Sequence, residues 1–384
     1  MNSDFLQLFN DLLTLPSVSS ANPHIDMGNR RVIDLLANRF ETLGFSCEVM
    51  QLAHHPHKAN LIATLGTGTG GLVLAGHTDT VPFDEALWQM HPLRLTEKDN
   101  RLYGLGSTDM KGFFAVVHEA VKDLEAGNMK HPLIILATAD EESSMEGARA
   151  LVREHRQLGR AAVIGEPTGL TPVNRHKGVM MERLHVQGQS GHSSNPSLGR
   201  NALEAMHEMI GALLHYRHKL QHQYKDPHFA IDVPTMNLGV IHGGDNPNRI
   251  CGHCELEFDV RMLPGMTSTT VRDDIRGMLQ PIADRHNTPF TFEPLFPGAE
   301  PFENDHSDLI AVCEKLTGQH SQSVAFGTEA PFMQQLGMDT VVLGPGSIDV
   351  AHQPNEYMAM DQIQPCIGIL QGLIRRYCLQ DGQT

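Results

Sequence analysis

The strongest constraint on the fold is an alternation of apolar and amphipathic segments in the first half of the chain. Four short segments are almost wholly apolar, at 61–65, 72–75, 133–139 and 161–164. Helices are predicted at about 29–43 and 111–125, where apolar residues recur at helical spacing. Apolar strands that alternate with helices are typical of an α/β fold, with a mostly parallel sheet and helices on both faces.

A different order begins after about residue 176. The pattern predicts strand, helix, strand, strand, helix and strand at 179–187, 200–218, 235–241, 254–262, 268–285 and 289–295. This βαββαβ order is ferredoxin-like. The length of 384 residues favours two domains. We therefore predict a discontinuous α/β domain, residues 1–176 and 287–384, interrupted by a smaller inserted domain, residues 177–286.

Composition excludes several classes of partner. The chain carries 29 basic and 45 acidic residues, a formal charge of −16, which disfavours binding to nucleic acid. The sequence contains no basic amphipathic segment and no apolar run of about 18 residues. It therefore gives no indication of contact with a membrane. Six cysteines and an N-terminus without a cationic start favour reduced thiols and a cytoplasmic location.

Ionisable side chains follow several of the predicted strands. They are His77, Asp109, the pair Glu141-Glu142, Glu166 and His352. Each has an ordinary explanation. Most histidines bind no metal, an acidic pair usually lies in a solvated turn, and Asp109 is also placed to cap the following helix. The carboxyl ends of strands in an α/β sheet, however, are where functional groups gather.

Taken together, these residues predict a metal site. Two imidazoles and three carboxylates suit zinc, cobalt or manganese, and they can hold two divalent ions if one carboxylate bridges. Asp79 can accept the free ring N–H of His77 and so fix its tautomer. In Glu141-Glu142, one side chain can bind metal while its neighbour acts as a general base for hydrolysis.

Several motifs resemble the dinuclear-zinc deacylase and exopeptidase family, which includes aminoacylase, carboxypeptidase G and succinyl-diaminopimelate desuccinylase. The motifs are GHTDTVP, YGLGSTDMKGFFA, ATADEESSMEGAR, IGEPT, GQSGHSS and GPGSIDVAHQPNEY. The resemblance extends from residue 30 to about residue 377. It implies a hydrolase with two divalent metal ions, most often zinc, with cobalt or manganese as alternatives. It also implies that the α/β domain is catalytic and that the insert acts as a lid or dimerisation domain.

The resemblance also implies a role for each site residue. One ion would be held by His77, Asp109 and Glu166, and the other by Asp109, Glu142 and His352, so that Asp109 bridges. Glu141 would be the general base and Asp79 would orient His77. A cis peptide bond is implied between Asp109 and Met110.

The inserted domain is expected to contribute further residues. The resemblance implies that His192 reaches the site across a homodimer interface and donates to the oxyanion; the alternative is an ordinary surface histidine. It implies substrate contacts for Asn248 and Arg261, although Arg261 is also placed to pair with Asp259 or Glu257. From charge complementarity, we expect Glu329 to meet the distal ammonium of the substrate.

The implied activity is hydrolysis of an N-acyl amino acid, with N2-acetyl-L-ornithine as the expected small-molecule substrate and acetate as a product. One alternative is the same chemistry on succinyl-diaminopimelate, a dipeptide or another N-acyl amino acid. A more distant alternative is a scaffold that binds metal or amino acid without turnover. A panel of substrates distinguishes the three.

Overall fold

The computed structural model describes residues 2–53, 55–305 and 307–379, which form two compact units. The first unit comprises Met1–Asn174, Asn304–Gln322 and Thr328–Thr384, and the second comprises Arg175–Glu303 and Ser323–Gly327. Among the described residues, no helix has both the length and the apolar character needed to cross a membrane.

The first unit contains a large sheet flanked by helices. Its helices are α1 (Ser3–Thr14), α2 (Arg30–Thr42), α3 (Lys111–Val121), α4 (Glu146–Arg153), α7 (Asp308–Thr317), α8 (Ala330–Gln335) and α9 (Ile363–Ile374). Its strands are β1 (Ser46–Gln51), β2 (Ala59–Leu65), β3 (Leu72–His77), β4 (Thr96–Lys98), β5 (Arg101–Tyr103), β6 (Leu133–Thr138), β7 (Ala161–Ile164), β15 (Asp339–Val342) and β16 (Tyr357–Ala359). Two short strands, β8 (Val173–His176) and β14 (Gln322–Val324), lie where the chain passes between the units.

The centre of this sheet is parallel. The strands follow the order β1-β2-β6-β3-β7-β15-β8, in which β6, β3, β7 and β15 run parallel and the outer pairs run antiparallel. Every residue of β3, β6 and β7 is buried, as expected for parallel strands covered on both faces. The predicted fold class is therefore confirmed.

The second unit is built from the remaining elements. They are β9 (Gly178–Gln187), α5 (Ala202–Gln223), β10 (Thr235–Gly243), β11 (His253–Met262), α6 (Ser268–His286), β12 (Phe290–Ala299) and β13 (Phe302–Glu303). Its antiparallel sheet has the order β10-β11-β9-β12, which is the ferredoxin-like arrangement predicted from the sequence. The side chains of β11 alternate between buried and partly exposed.

The second unit is longer than the predicted insert of residues 177–286. The strand β12 pairs with β9 from Phe290 opposite Val186 onwards, and the unit continues to Glu303. The expected boundary fell at the end of α6 and so left out a strand that completes the sheet. The pattern also failed to predict β1 and the small sheet β16-β5-β4.

Candidate metal centre

The predicted ligands of the first unit meet at one edge of its sheet. His77 is the last residue of β3, the turn after β6 carries Glu141 and Glu142, and Glu166 follows β7 by two residues. Because β3, β6 and β7 are parallel neighbours, their carboxyl ends lie side by side. The loop before α3 supplies Asp109 and the loop after β15 supplies His352.

Asp109 lies between the two histidines. Its Oδ1 is 3.0 Å from His77 Nε2 and its Oδ2 is 3.2 Å from His352 Nε2. The Asp109 side chain is buried, whereas half of the His352 side chain is exposed. The peptide bond between Asp109 and Met110 is cis, as the resemblance implied. One carboxylate therefore faces both imidazoles, each through a different oxygen, which is the position expected of a ligand shared by two ions.

Each histidine has a second carboxylate neighbour. Glu166 Oε1 is 3.8 Å from His77 Nε2, and Glu142 Oε1 is 3.0 Å from His352 Nε2. These contacts bring together the residues of each predicted ligand set, His77–Asp109–Glu166 and Asp109–Glu142–His352. Their binding of metal stays a prediction.

The ligand atoms of the centre also form two other close groups. The ligand atoms of His77, Glu141 and Glu166 all lie within 4.8 Å of one another, and so do those of His77, Asp109 and Glu142. Glu141 and Glu142 thus diverge, with Glu141 on the side of Glu166. The group of His77, Glu141 and Glu166 would make Glu141 a metal ligand, whereas the sequence analysis predicts that it is the general base. Retention of the metal after substitution of Glu141 would favour the role of base.

Asp79 contacts His77 differently from the prediction. His77 Nδ1 donates to the backbone carbonyl of Asp79 at 3.0 Å, while the Asp79 carboxylate is 3.7 Å away. That carboxylate accepts hydrogen bonds from the backbone N–H groups of Glu141 and Glu142, at 3.2 and 3.0 Å. The proton on Nδ1 leaves Nε2 free for a metal. Asp79 also fixes the backbone that carries both glutamates.

The turn that carries Glu141 and Glu142 is held from its other side by Asp140. This residue has a left-handed backbone, with φ of +62°. Its Oδ1 accepts from Lys58 Nζ at 2.7 Å and from the Ser19 hydroxyl at 2.8 Å. The sequence analysis assigned no role to Asp140 or Lys58. Since they are 82 residues apart, only the fold reveals their contact.

Glu356 is a second residue that the sequence analysis missed. It is 1% exposed, and its carboxylate accepts hydrogen bonds from the backbone N–H groups of Gly106, Thr108 and Asp109. Burial, followed by the nearby charge of Asp109, raises the pKa of Glu356 to about 8. The residue lies within the motif AHQPNEY, but nothing in its local sequence indicated that it anchors the loop of Asp109.

The electrostatics of the cluster are those of a cation site. Burial raises the pKa of Glu141 and of Glu166 well above the usual range. The charge of Glu166 adds to the rise for Glu141, and the charge of Asp109 adds to the rise for Glu166. Hydrogen bonds to Asp109 and Glu142 raise the pKa of His352 to about 10. Burial opposes ionisation of Asp109, but the two histidines outweigh it and lower its pKa. A buried excess of carboxylates thus retains protons, and divalent ions would replace them.

Glu329 is not placed for the contact predicted with a substrate ammonium. It is 1% exposed, and its Oε2 accepts from the Thr138 hydroxyl at 2.8 Å. Burial raises its pKa to about 7. A side chain closed off from solvent offers no open face to an incoming substrate, so its burial does not favour the contact with a substrate ammonium, which stays a prediction. The loop sequence FGTEAPF contained no sign that the glutamate points inward.

Three predicted site residues belong to the second unit. His192 and Asn248 are exposed on loops, where His192 Nδ1 is 2.8 Å from the Ser194 hydroxyl and the Asn248 carbonyl accepts from Ser193 N–H. Arg261 Nε lies 3.1 Å from Asp259 Oδ2. This ion pair is one that the sequence analysis offered as the alternative to a substrate contact. The roles of these three residues in catalysis remain predictions.

Comparison with known proteins places the chain in a defined group. Residues 73–376 match the model of peptidase family M20/M25/M40. Proteins named acetylornithine deacetylase from Pasteurella multocida and Proteus mirabilis are each 48% identical, over 375 and 380 residues; the alignments cover 97% and 98% of this chain, and 98% and 97% of theirs.

Solved structures with the same fold are more distant in sequence. An M20 family metallo-carboxypeptidase from Sulfolobus solfataricus has a TM-score of 0.77 at 18% identity, covering 98% of this chain and 99% of its own. A dinuclear metal binding peptidase of the M20 family from Bacillus subtilis has a TM-score of 0.67 at 14% identity, with 97% of each chain covered. These likenesses confirm the fold.

Proposed function

The chain belongs to peptidase family M20/M25/M40, and from that premise we propose that it removes the acetyl group from N2-acetyl-L-ornithine, giving L-ornithine and acetate. It is a metal-dependent amide hydrolase. Relatives named acetylornithine deacetylase at 46–48% identity, aligned over nearly the whole chain, support the substrate. The observation that carries the chemistry is the position of Asp109, with one carboxylate oxygen toward each of two histidines.

The proposed ligands hold two divalent ions. His77, Asp109 and Glu166 bind one ion, and Asp109, Glu142 and His352 bind the other. Imidazole and carboxylate donors suit zinc, with cobalt and manganese as alternatives. The surrounding residues fit this role, because Asp79 and Glu356 hold the ligand-bearing loops through backbone N–H groups.

Glu141 acts as the general base in the proposed mechanism. When bound, the two ions polarise the acetyl carbonyl and make a water molecule acidic. Glu141 accepts a proton from the attacking water and delivers it to the departing amine. In the metal-free protein, burial and then the charge of Glu166 raise the pKa of Glu141.

The second unit is proposed to complete the site. His192 donates to the oxygen that becomes negative in the transition state, where fixed donors contribute most. Asn248 and Arg261 contact the substrate, with Arg261 exchanging Asp259 for the substrate carboxylate. We propose a homodimer formed through this unit, so that His192 acts across the interface. The enzyme then serves arginine biosynthesis in the cytoplasm.

The test is a panel of substrates on metal-loaded protein. The panel contains N2-acetyl-L-ornithine, succinyl-diaminopimelate, other N-acetyl amino acids and a dipeptide, each with and without a strong chelator. The expected result is the highest kcat/KM for N2-acetyl-L-ornithine, with loss of activity in the chelator. Higher kcat/KM for another member would move the assignment to that substrate. Retained metal without hydrolysis of any member would favour a binding scaffold.

A further inference from the structure

A pocket of about 140 Å³ adjoins the proposed metal centre in the first unit. Its wall is formed by apolar side chains, among them Val81, Phe83, Leu87, Trp88 and Leu105. The segment 81–88 follows β3 and Asp79 directly, so the chain that supplies the metal centre continues into the pocket wall.

The pocket opens beside the proposed ligands, because His352 is part of its lining. The Nε2 atom of this histidine faces Asp109 and Glu142 at 3.2 and 3.0 Å. An amide held at the two ions therefore has one of its ends next to the pocket. Such a pocket receives either the acyl group or the amino acid side chain.

The wall of the pocket is tied together by hydrogen bonds. Asn355 Oδ1, three residues after His352, accepts from the backbone N–H groups of Gln89 and Met90 at 2.8 and 3.1 Å. Asp84 Oδ1 accepts from Ala86 N–H at 3.0 Å, which fixes the start of the following turn. The contacts of Asn355 therefore join the two chain segments that form opposite walls of the pocket, 81–88 and 352–354.

The pocket combines apolar walls with one acidic side chain. Asp84 contributes to the lining, and besides His352 it is the only charged or titratable group among the lining residues that the structure describes. Within the described residues, Asp84 has no ion pair with lysine or arginine. Leu87 is 61% exposed, so the apolar side of the pocket is open to an incoming side chain.

We infer that this pocket binds the side chain of the amino acid and that Asp84 determines the preference for a terminal ammonium. This inference rests on the proposed function. The side chain of ornithine is three methylene groups that end in an ammonium, which matches apolar walls with one carboxylate. An acetyl methyl group has no charge to match Asp84. Unlike Glu329, which is buried, Asp84 is exposed and lines the same pocket as the proposed ligand His352.

The test compares two substrates on the metal-loaded full-length protein. N2-acetyl-L-ornithine and N-acetyl-L-norvaline share the same carbon chain and differ in the terminal ammonium. The variant Asp84→Asn is expected to lower kcat/KM for acetylornithine about fivefold, the size of a largely exposed ion pair, and to leave acetylnorvaline unchanged. The matched control is Glu85→Gln, an exposed acid next in the chain that does not line the pocket, which should alter neither value.

A second variant tests the wall. Leu87→Ala is expected to raise KM for both substrates, because both carry the methylene groups. Trp88 is the only tryptophan in the chain, so its fluorescence reports occupancy: ornithine added to the metal-loaded protein should change the emission, and Asp84→Asn should weaken that response. Thermal unfolding of each variant shows whether it remains folded.

The outcomes separate this inference from the proposed function. If the wild type does not prefer acetylornithine to acetylnorvaline, the proposed substrate is wrong. If it does prefer acetylornithine and Asp84→Asn keeps the full preference, the substrate stands and the inference fails. A Leu87→Ala variant that changes only the ratio between acetyl and longer acyl groups would assign the pocket to the acyl group and overturn the inference.

Discussion

The metal centre of the first unit and the loops of the second unit differ in how firmly their side chains are held. His77 and Asp109 are buried, and the backbone around Glu141 and Asp109 is fixed by Asp79 and Glu356. His192 and Asn248 are exposed on loops, where the His192 ring contacts the Ser194 hydroxyl and the Asn248 carbonyl accepts from Ser193 N–H. The first region is organised before a substrate arrives, whereas the second has open side chains that a substrate or a partner chain would have to engage.

The largest effect is expected for Glu141→Gln in the first region. Removal of a general base should lower kcat by about 10³-fold, while two ions per chain remain bound, as measured by kinetics and elemental analysis. The matched control is Glu142→Gln, which should lose an ion. Loss of an ion from Glu141→Gln would instead make Glu141 a ligand, and near-normal kcat would remove it from the mechanism.

The second-largest effect on kcat is expected for His192→Ala in the second unit. Loss of an oxyanion donor should lower kcat by about 10²-fold without changing the metal content or the melting temperature, because the exposed ring makes no buried contact. His222→Ala is the control, since His222 is exposed at the end of α5. Unchanged kcat in His192→Ala would assign the residue to the ordinary surface of the second unit.

A smaller effect is expected for Asp79→Asn. The carboxylate accepts from two backbone N–H groups, and an amide can accept only through its oxygen. Because these bonds hold the ligand-bearing turn, metal affinity should fall about tenfold, as measured by competition with a chelator. Asp123→Asn, at an exposed position after α3, should have no effect. Equal affinity in both variants would mean that the turn is rigid without Asp79.

The smallest effect concerns the metal-free protein and Glu329. Burial raises its pKa from 4.5 to about 7, so the folded state keeps a proton that the unfolded state releases. The stability that this proton contributes is present below pH 4.5 and is lost as pH rises to about 7. At about 1.4 kcal/mol per pKa unit, the loss is at most roughly 3.5 kcal/mol.

The measurement for Glu329 is thermal unfolding in chelator between pH 5 and pH 8. Glu329→Gln cannot lose a proton, so its melting temperature should fall less across this range than that of the wild type. The other buried acids of the cluster are unchanged and act as an internal reference. Parallel curves for the two proteins would show that Glu329 does not titrate in this range.

The sequence predicted the parts of the molecule that depend on periodicity. The apolar segment 161–164 became a strand with the same bounds, and the other three became strands whose ends differ by one or two residues. Strands buried on both faces leave a plain signal. The meeting of His77, Glu141 and Glu166 was predictable for a related reason, since parallel neighbours bring their carboxyl ends to one edge. The family resemblance supplied the assignment of Asp109 to both ions.

The remaining features depend on contacts that no local pattern records. Lys58 reaches Asp140 across 82 residues, and Glu356 reaches the loop of Asp109 across 247. The burial of Glu329 was missed because a charged residue in a loop is usually exposed. The boundary of the second unit was misplaced because β12 pairs with β9, more than 100 residues earlier in the chain.

The central claim is that one aspartate joins two metal ions, and crystals grown with zinc test it most directly. An anomalous difference map at the zinc edge should contain two peaks about 3.5–4 Å apart, with the carboxylate of Asp109 between them. A single peak, or peaks that lie beyond the reach of Asp109, would contradict the account.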